Sequence, residues 1–151
     1  MNQLFIVRDY LRTHVPFLND SNCDVDNITV FDAAAISSTN DVPCCVVISL
    51  SFSDEAYQPG DFNNQLFDWR ILVNFFYRLY GNKQQEADNI QDGYVKAREI
   101  IDILCADFSL DGNVLDCKIH AVNTPMTYSR SDRDEYFMVG LVLQIKEALN
   151  G

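Results

Sequence analysis

Basic residues are scarce in this chain. Eleven lysines and arginines face twenty-two aspartates and glutamates, a formal net charge of −11 at pH 7. A surface this acidic repels nucleic-acid phosphates and anionic membranes, which argues against a DNA- or RNA-binding module unless the few cations cluster. Long apolar runs are missing too: no uninterrupted segment approaches the roughly 20 residues that cross a bilayer. Arg8 and Asp9 break the only apolar run near Met1, so no signal-peptide pattern is present and the chain is expected to fold in cytosol. The five cysteines contain no CxxC, and their odd number fits reduced thiols better than a disulfide framework.

Signatures of chemistry are absent as well. There is no GxGxxG, no P-loop, no G-x-S-x-G and no Cys/His spacing of the kind that holds zinc. Cys117 and His120 lie three apart in an expected strand, where they point to opposite faces and cannot pair locally. Cys44 and Cys45 diverge for the same reason. Cys105, beside an apolar helix stripe, reads as a small buried hydrophobe. Asp20, Asn22, Asp24 and Asp26 mimic the first half of a calcium loop, but Val25 stands where the glycine belongs and Phe31 where the closing glutamate belongs, so a solvated acidic loop is the better reading. No catalytic residue, metal site or cofactor is expected.

What is present is amphipathic periodicity. At 151 residues and 48% hydrophobic content, the chain suffices for one domain, 1–151, with a real core. Ala87, Ile90, Tyr94, Ala97, Ile101, Leu104 and Phe108 recur every three or four residues, which predicts a long helix over 86–108. Asp88, Asn89, Asp92, Lys96, Glu99 and Asp102 form its solvated side. Asn82 and Gln85 suit its N-terminus, and Asp92 with Lys96 makes an i,i+4 pair. Gly93 costs about 1 kcal/mol against alanine inside it. A short helix is expected from about Gln3 to His14, with Leu4, Val7, Leu11 and His14 on one face and Pro16 ending it.

Strands are expected over Ile28–Ile36, where the run Ala33-Ala34-Ala35 leaves a helix as the alternative, and over Cys44–Ser53, Trp69–Leu79, Val114–Val122 and Tyr136–Ile145, with Asp111-Gly112-Asn113 as a tight turn. Residues 19–27 read as a polar turn. Trp69 to Leu79 is apolar on both sides, and its second face (Leu72, Phe76, Tyr80, mixed with Arg70, Asn74 and Arg78) is expected to lie under the N-terminal helix. The order α-β-β-β-α-β-β implies an α+β fold: one mixed or antiparallel sheet of about five strands with the long helix across one face.

Two polar segments, 54–65 and 123–135, combine aromatics with charges of both signs. Asp54, Glu55, Tyr57, Asp61 and Phe62 lie in the first, and Tyr128, Arg130, Asp132, Arg133, Asp134 and Glu135 in the second. Such mixtures suit protein–protein contact.

The short helix carrying Val7-Arg8-Asp9-Tyr10-Leu11 and then proline, the following strands and loop, the long strand Trp69–Leu79, the amphipathic helix and a closing hairpin near Leu149 follow one another in a familiar order. In that order and in length the chain resembles the tail terminator, or tail-completion, proteins of long-tailed bacteriophages. The resemblance implies a homo-oligomeric ring, usually a hexamer, that caps the tail tube in the virion. Its partners are then the tail-tube protein and a neck or head-completion protein, with assembly in the host cytoplasm. DNA passes through without specific binding, no membrane is involved, and the family has no catalytic residues. Some of Asp54, Glu55, Asp61, Asp132, Asp134 and Glu135 are then expected at the lumen or against the stacked ring below. The alternatives are a neck adaptor or tube protein of the same virion, and an acidic DNA-mimic inhibitor.

Overall fold

Period-two alternation runs furthest in two stretches of the chain, and these pair with each other. Strands β4 (Leu66–Leu79) and β7 (Asp134–Ala148) are antiparallel through fourteen consecutive partners, from Leu66↔Ala148 to Leu79↔Glu135. The computed structural model describes residues 3–25, 44–50, 57–59, 66–79, 83–131 and 134–148. Around the central pair the short strands lie end to end. On the outer side of β4, β2 (Cys44–Leu50) pairs with residues 71–77 and β3 (Tyr57–Pro59) with residues 67–69. On the outer side of β7, β5 (Asp116–Val122) pairs with residues 141–146 and β6 (Met126–Ser131) with residues 134–138. β1 (Cys23–Val25) adds to β2 in parallel, so the sheet is mixed with the order β1-β2-β4-β7-β5. With helices α1 (Gln3–His14) and α2 (Lys83–Ala106), this is the expected α+β architecture.

Both helices lie on the same face of the sheet. Ile6, Val7, Tyr10 and Leu11 of α1 and Ala97, Ile100 and Leu104 of α2 share one core with Ile71, Val73, Phe75 and Tyr77 of β4 and Phe137, Val139, Leu141, Leu143 and Ile145 of β7. Burying each large apolar side chain contributes roughly 1.5–3 kcal/mol. The opposite face holds a smaller cluster of Cys45, Val47, Phe76 and Tyr136, with Met138 packed against it. The N-terminal helix therefore does not cover the Leu72–Phe76 face. Its apolar residues meet Cys44, Val46 and Ile48, which point the other way from Cys45 and Val47.

The seam of α2 is rotated from the stripe that its apolar spacing suggests. Asn89, Gly93, Ala97, Ile100 and Leu104 face inward, whereas Tyr94 is 47% exposed and Phe108, beyond the helix end, 64% exposed. Gly93 is the cause. A Cβ there would lie 2.8 Å from Cδ1 of Phe137 and 3.4 Å from Cβ of Tyr77. The missing side chain admits the ring of Phe137 against the helix backbone, and Tyr94 is left to flank that ring at a centroid distance of 4.7 Å. The glycine thus exchanges helix propensity for close approach. Nor do Asp92 and Lys96 form the expected pair: Lys96 Nζ sits 4.6 Å over the ring of Phe17, and Asp92 accepts the hydroxyl of Tyr77 at 3.4 Å.

Two polar segments are more structured than their composition suggests. In the stretch 19–27, Asn22 closes a turn by accepting the amide of Asn19 and donating to the carbonyl of Phe17. Arg12 Nε then donates to the carbonyl of Cys23 at 2.7 Å, and the amide of Val46 to the carbonyl of Asn22, which docks β1 between α1 and β2. In the stretch 123–135, residues Met126–Ser131 form a hairpin strand with β7 rather than a long excursion. The turn after α2 matches its sequence signal. Leu110, Asp111 and Gly112 all have positive φ, and Asp107 accepts from the Ser109 hydroxyl and the amides of Ser109 and Asp111. These bonds, led by the Ser109 hydroxyl, hold the Asp107 carboxyl below the usual carboxylate range. His14 Nε2 and Asp111 Oδ2, 2.7 Å apart, join this turn to the end of α1. The expected strand at 28–36, the cap at Asn82, and Tyr80 lie outside the described residues.

The helix seam is testable by truncation. Ile100→Ala is expected to lose about 2–5 kcal/mol in a urea titration, while Phe108→Ala stays within about 0.5 kcal/mol. Gly93→Val is expected to lose about 1–3 kcal/mol through overpacking against Phe137. The reverse ranking of Ile100 and Phe108 would restore the stripe suggested by spacing alone.

Candidate functional site

The aromatic and charged segments singled out from composition do not converge. Tyr57 lies in β3 opposite Trp69, at one end of β4. Tyr128 lies in β6 opposite Tyr136, which itself pairs with Arg78 at the other end of β4. Trp69 and Arg78 are nine positions apart on one strand, about 30 Å at the usual rise. Arg130 sits at the bulge between Ser129 and Ser131, and Asp134 and Glu135 open β7 opposite Ser131 and Ser129. Asp54, Glu55, Asp61, Phe62, Asp132 and Arg133 lie outside the described residues. The interface candidates thus divide between the two ends of the sheet.

The sheet's outer edge is blunted against open-ended pairing. β5 and β6 carry bulges at Ile119/Ala121 and Ser129/Ser131, and Pro125 separates them. Bulges and proline are common devices that keep an edge from recruiting further strands.

The face away from the helices is the feature that composition did not disclose. Cross-strand register arranges it in rows over β4, β7 and β5: Arg70–Gln144–Lys118, then Leu72–Val142–Ala121. Asn123 continues past β5, its amide bonded to the carbonyl of Gly140, which pairs with Asn74. A side chain at Gly140 would meet Asn123 Nδ2 at 2.7 Å and Asn74 Oδ1 at 3.0 Å. In the first row, Nε and Nη1 of Arg70 are shut from solvent and have no hydrogen-bond partner. Lys118 beside it is exposed. Guanidinium nitrogens left without an acceptor are costly, so this row holds unused capacity for a carboxylate. Arg70 is visible in the alternation of β4, but its meeting with Lys118 requires the register of three strands.

The opposite surface of the molecule is the outward side of α2. Asp88, Asp92, Val95, Glu99 and Asp102 fall on that arc, with Arg98 tied to Asp102 at 3.2 Å. Tyr94, Val95, Arg98, Glu99 and Asp102 line a shallow depression there. In the turn after α1, Asp24 accepts Arg8 at 3.3 Å, and Asp20 lies 3.5 Å from Arg12. The calcium-like spacing is therefore spent on arginines of α1, and Asn22 on its own turn. Among the described residues no group of three or more His, Cys, Asp or Glu is placed to hold a metal ion. Among them, too, no helix is long and apolar enough to cross a membrane.

Burial governs the thiols. It pushes Cys23, Cys45 and Cys117 up to about 12 and Cys44 up to about 11. Cys44 and Cys45 do diverge, one into each cluster. Cys117 is buried on the helix side of β5, whereas His120 is exposed at the bulge. Cys105 is exposed rather than buried, because the rotated seam turns it outward. A buried thiol with a raised pKa favours the folded state below its ordinary value near 9 and ceases to do so as pH climbs toward 12. The urea midpoint is accordingly expected to fall between pH 9 and 11. At pH 8, iodoacetamide with mass detection should label Cys105 first, with Cys44 reacting about a hundredfold and Cys23, Cys45 and Cys117 about a thousandfold more slowly. Rapid labelling of all five in the folded protein would contradict the burial.

Compared with known proteins, the chain matches no family model and no curated sequence.

Proposed function

We propose that this chain is a structural virion protein that caps the head-proximal end of a phage tail tube as a ring, ends tube polymerisation and offers the docking surface to the neck. The resemblance in element order supplies the reading. One geometric observation supports it best: Tyr57 from one of the two segments rich in aromatics and charge, and Tyr128 from the other, pair near opposite ends of an unbroken fourteen-pair ribbon. A subunit held between unlike neighbours needs two chemically rich ends at a constant separation, and a long strand pair with a helix layer on one face is a stiff spacer. In the proposed assembly the tube protein meets one end and the neck or head-completion protein the other.

The charge balance fits the same role. A net charge of −11 per subunit lets a phosphate backbone pass a conduit without adhering to it. Most of the described thiols are buried and held protonated, which suits a protein that works by contact.

Particles assembled without this chain are expected to show tubes of uncontrolled length and heads without tails in negative-stain images. Tails of normal length joined to heads in its absence would overturn the assignment. Reversing Asp134 and Glu135 to lysine is expected to lower infectivity on the order of tenfold or more if these carboxylates line the conduit. Unchanged infectivity would remove them from the lumen.

A further inference from the structure

We propose that the sheet face bearing Arg70 and Lys118 is a docking surface for the outward side of α2 in a second copy of this chain. The contact rests on the assembly reading above and specifies which surface meets which.

Charge selects the occupant. The chain is strongly acidic overall, yet Arg70 and Lys118 stand in one cross-strand row with only Gln144 between them, while the adjoining row of Asp68, Lys146 and Asp116 mixes both signs. Two nitrogens of Arg70 have no acceptor. The side chain as a whole is only half buried, so rotation about its outer bonds turns the fork toward a partner. A partner must bring carboxylates, and α2 presents Asp88, Asp92, Glu99 and Asp102 on its outward arc. Of the two cations nearby, Arg98 is occupied by Asp102 and Lys96 by the ring of Phe17.

Shape and spacing agree with charge. Beside the Arg70 row lies an apolar row of Leu72, Val142 and Ala121, and beside Glu99 on the helix lie Val95, 57% exposed, and Tyr94, 47% exposed. Neighbouring rows on one sheet face are about 6.8 Å apart, and one helical turn from Val95 to Glu99 advances about 6 Å. Setting Val95 on the apolar row therefore brings Glu99 over Arg70. A helix of 24 residues, about 36 Å long, fits along strands of fourteen paired residues, about 46 Å. The two surfaces lie on opposite sides of one subunit, so the contact is head-to-tail. Repeated, it generates a ring if the rotation closes and a filament if it does not.

Sedimentation velocity and native mass spectrometry on three proteins test this. Wild type is expected to associate with rising concentration and to dissociate with added salt, since surface charge pairs are screened within about 8 Å at physiological ionic strength. Arg70→Glu with Lys118→Glu, and separately Glu99→Lys, should each weaken association about tenfold or more. An equimolar mixture of the two variants should associate again beyond either variant alone, because the acidic helix of the first complements the basic face of the second and the two reversed surfaces complement each other. If Arg70→Glu disturbs folding in a thermal melt, Lys118→Glu alone carries the first arm, its side chain being exposed. Variants that associate like wild type would reject this surface while leaving the assembly reading intact. So would a mixture that stays monomeric. A wild type still monomeric at about 1 mM, a concentration that reveals even weak contacts, would also overturn the proposal. The function would then be judged on particles lacking the chain.

Discussion

The pairing of β4 with β7 is the constraint from which the other elements take their positions. Side chains alternate with a period of two along a strand, so a slip of one residue would send Ile71, Val73 and Phe75 to the wrong face and bring Arg70 and Asn74 under the helices. Fourteen consecutive partners make that slip prohibitive, because the five central rows on the helix side, from Trp69–Ile145 to Tyr77–Phe137, are apolar or aromatic on both strands. Each remaining strand needs only a local match to one half of the ribbon. β2 and β3 share the outer side of β4, and β5 and β6 share that of β7.

A second set of interactions anchors α1, and it is electrostatic at its rim. Its apolar side reaches the core through Val7 and Leu11, and the hydroxyl of Tyr10 donates to the carbonyl of Ile103 at 3.0 Å, tying one helix to the other. Arg8 and Arg12 lean over the acidic turn that follows, so local carboxylates are neutralised in the fold. Such exposed pairs contribute little each. With those acids neutralised, the outward arc of α2 keeps an excess of carboxylates, and Arg70 and Lys118 stand on the far face of the sheet. The molecule is consequently polarised across its thin dimension, a favourable arrangement for copies that meet in sequence.

The proposed assembly gives the subunit contacts in two directions. Along the ribbon, the proposed unlike neighbours meet the end near Tyr57 and the end near Tyr128. Across it, like neighbours meet helix to sheet in the proposed contact. The blunted β5–β6 edge fits this division, since strand addition would compete with both.

Periodicity and turn chemistry settled a good deal at the level of sequence: the span of α1, the existence of α2, the strands at 44–50 and 69–79, the turn at Asp111-Gly112-Asn113, and the α+β class. These follow from local rules, in which a residue's neighbours in the chain are also its neighbours in space. Three things needed the tertiary structure. The rotation of α2 depends on the ring of Phe137, distant in sequence, entering at Gly93. The strands β1 and β6 are polar segments recruited by partners, β1 through Arg12 and Asn22 and β6 through β7, so their own composition reads as turn. The row of Arg70, Gln144 and Lys118 exists only once three strands are in register, since pairing across a sheet joins residues that no local pattern connects.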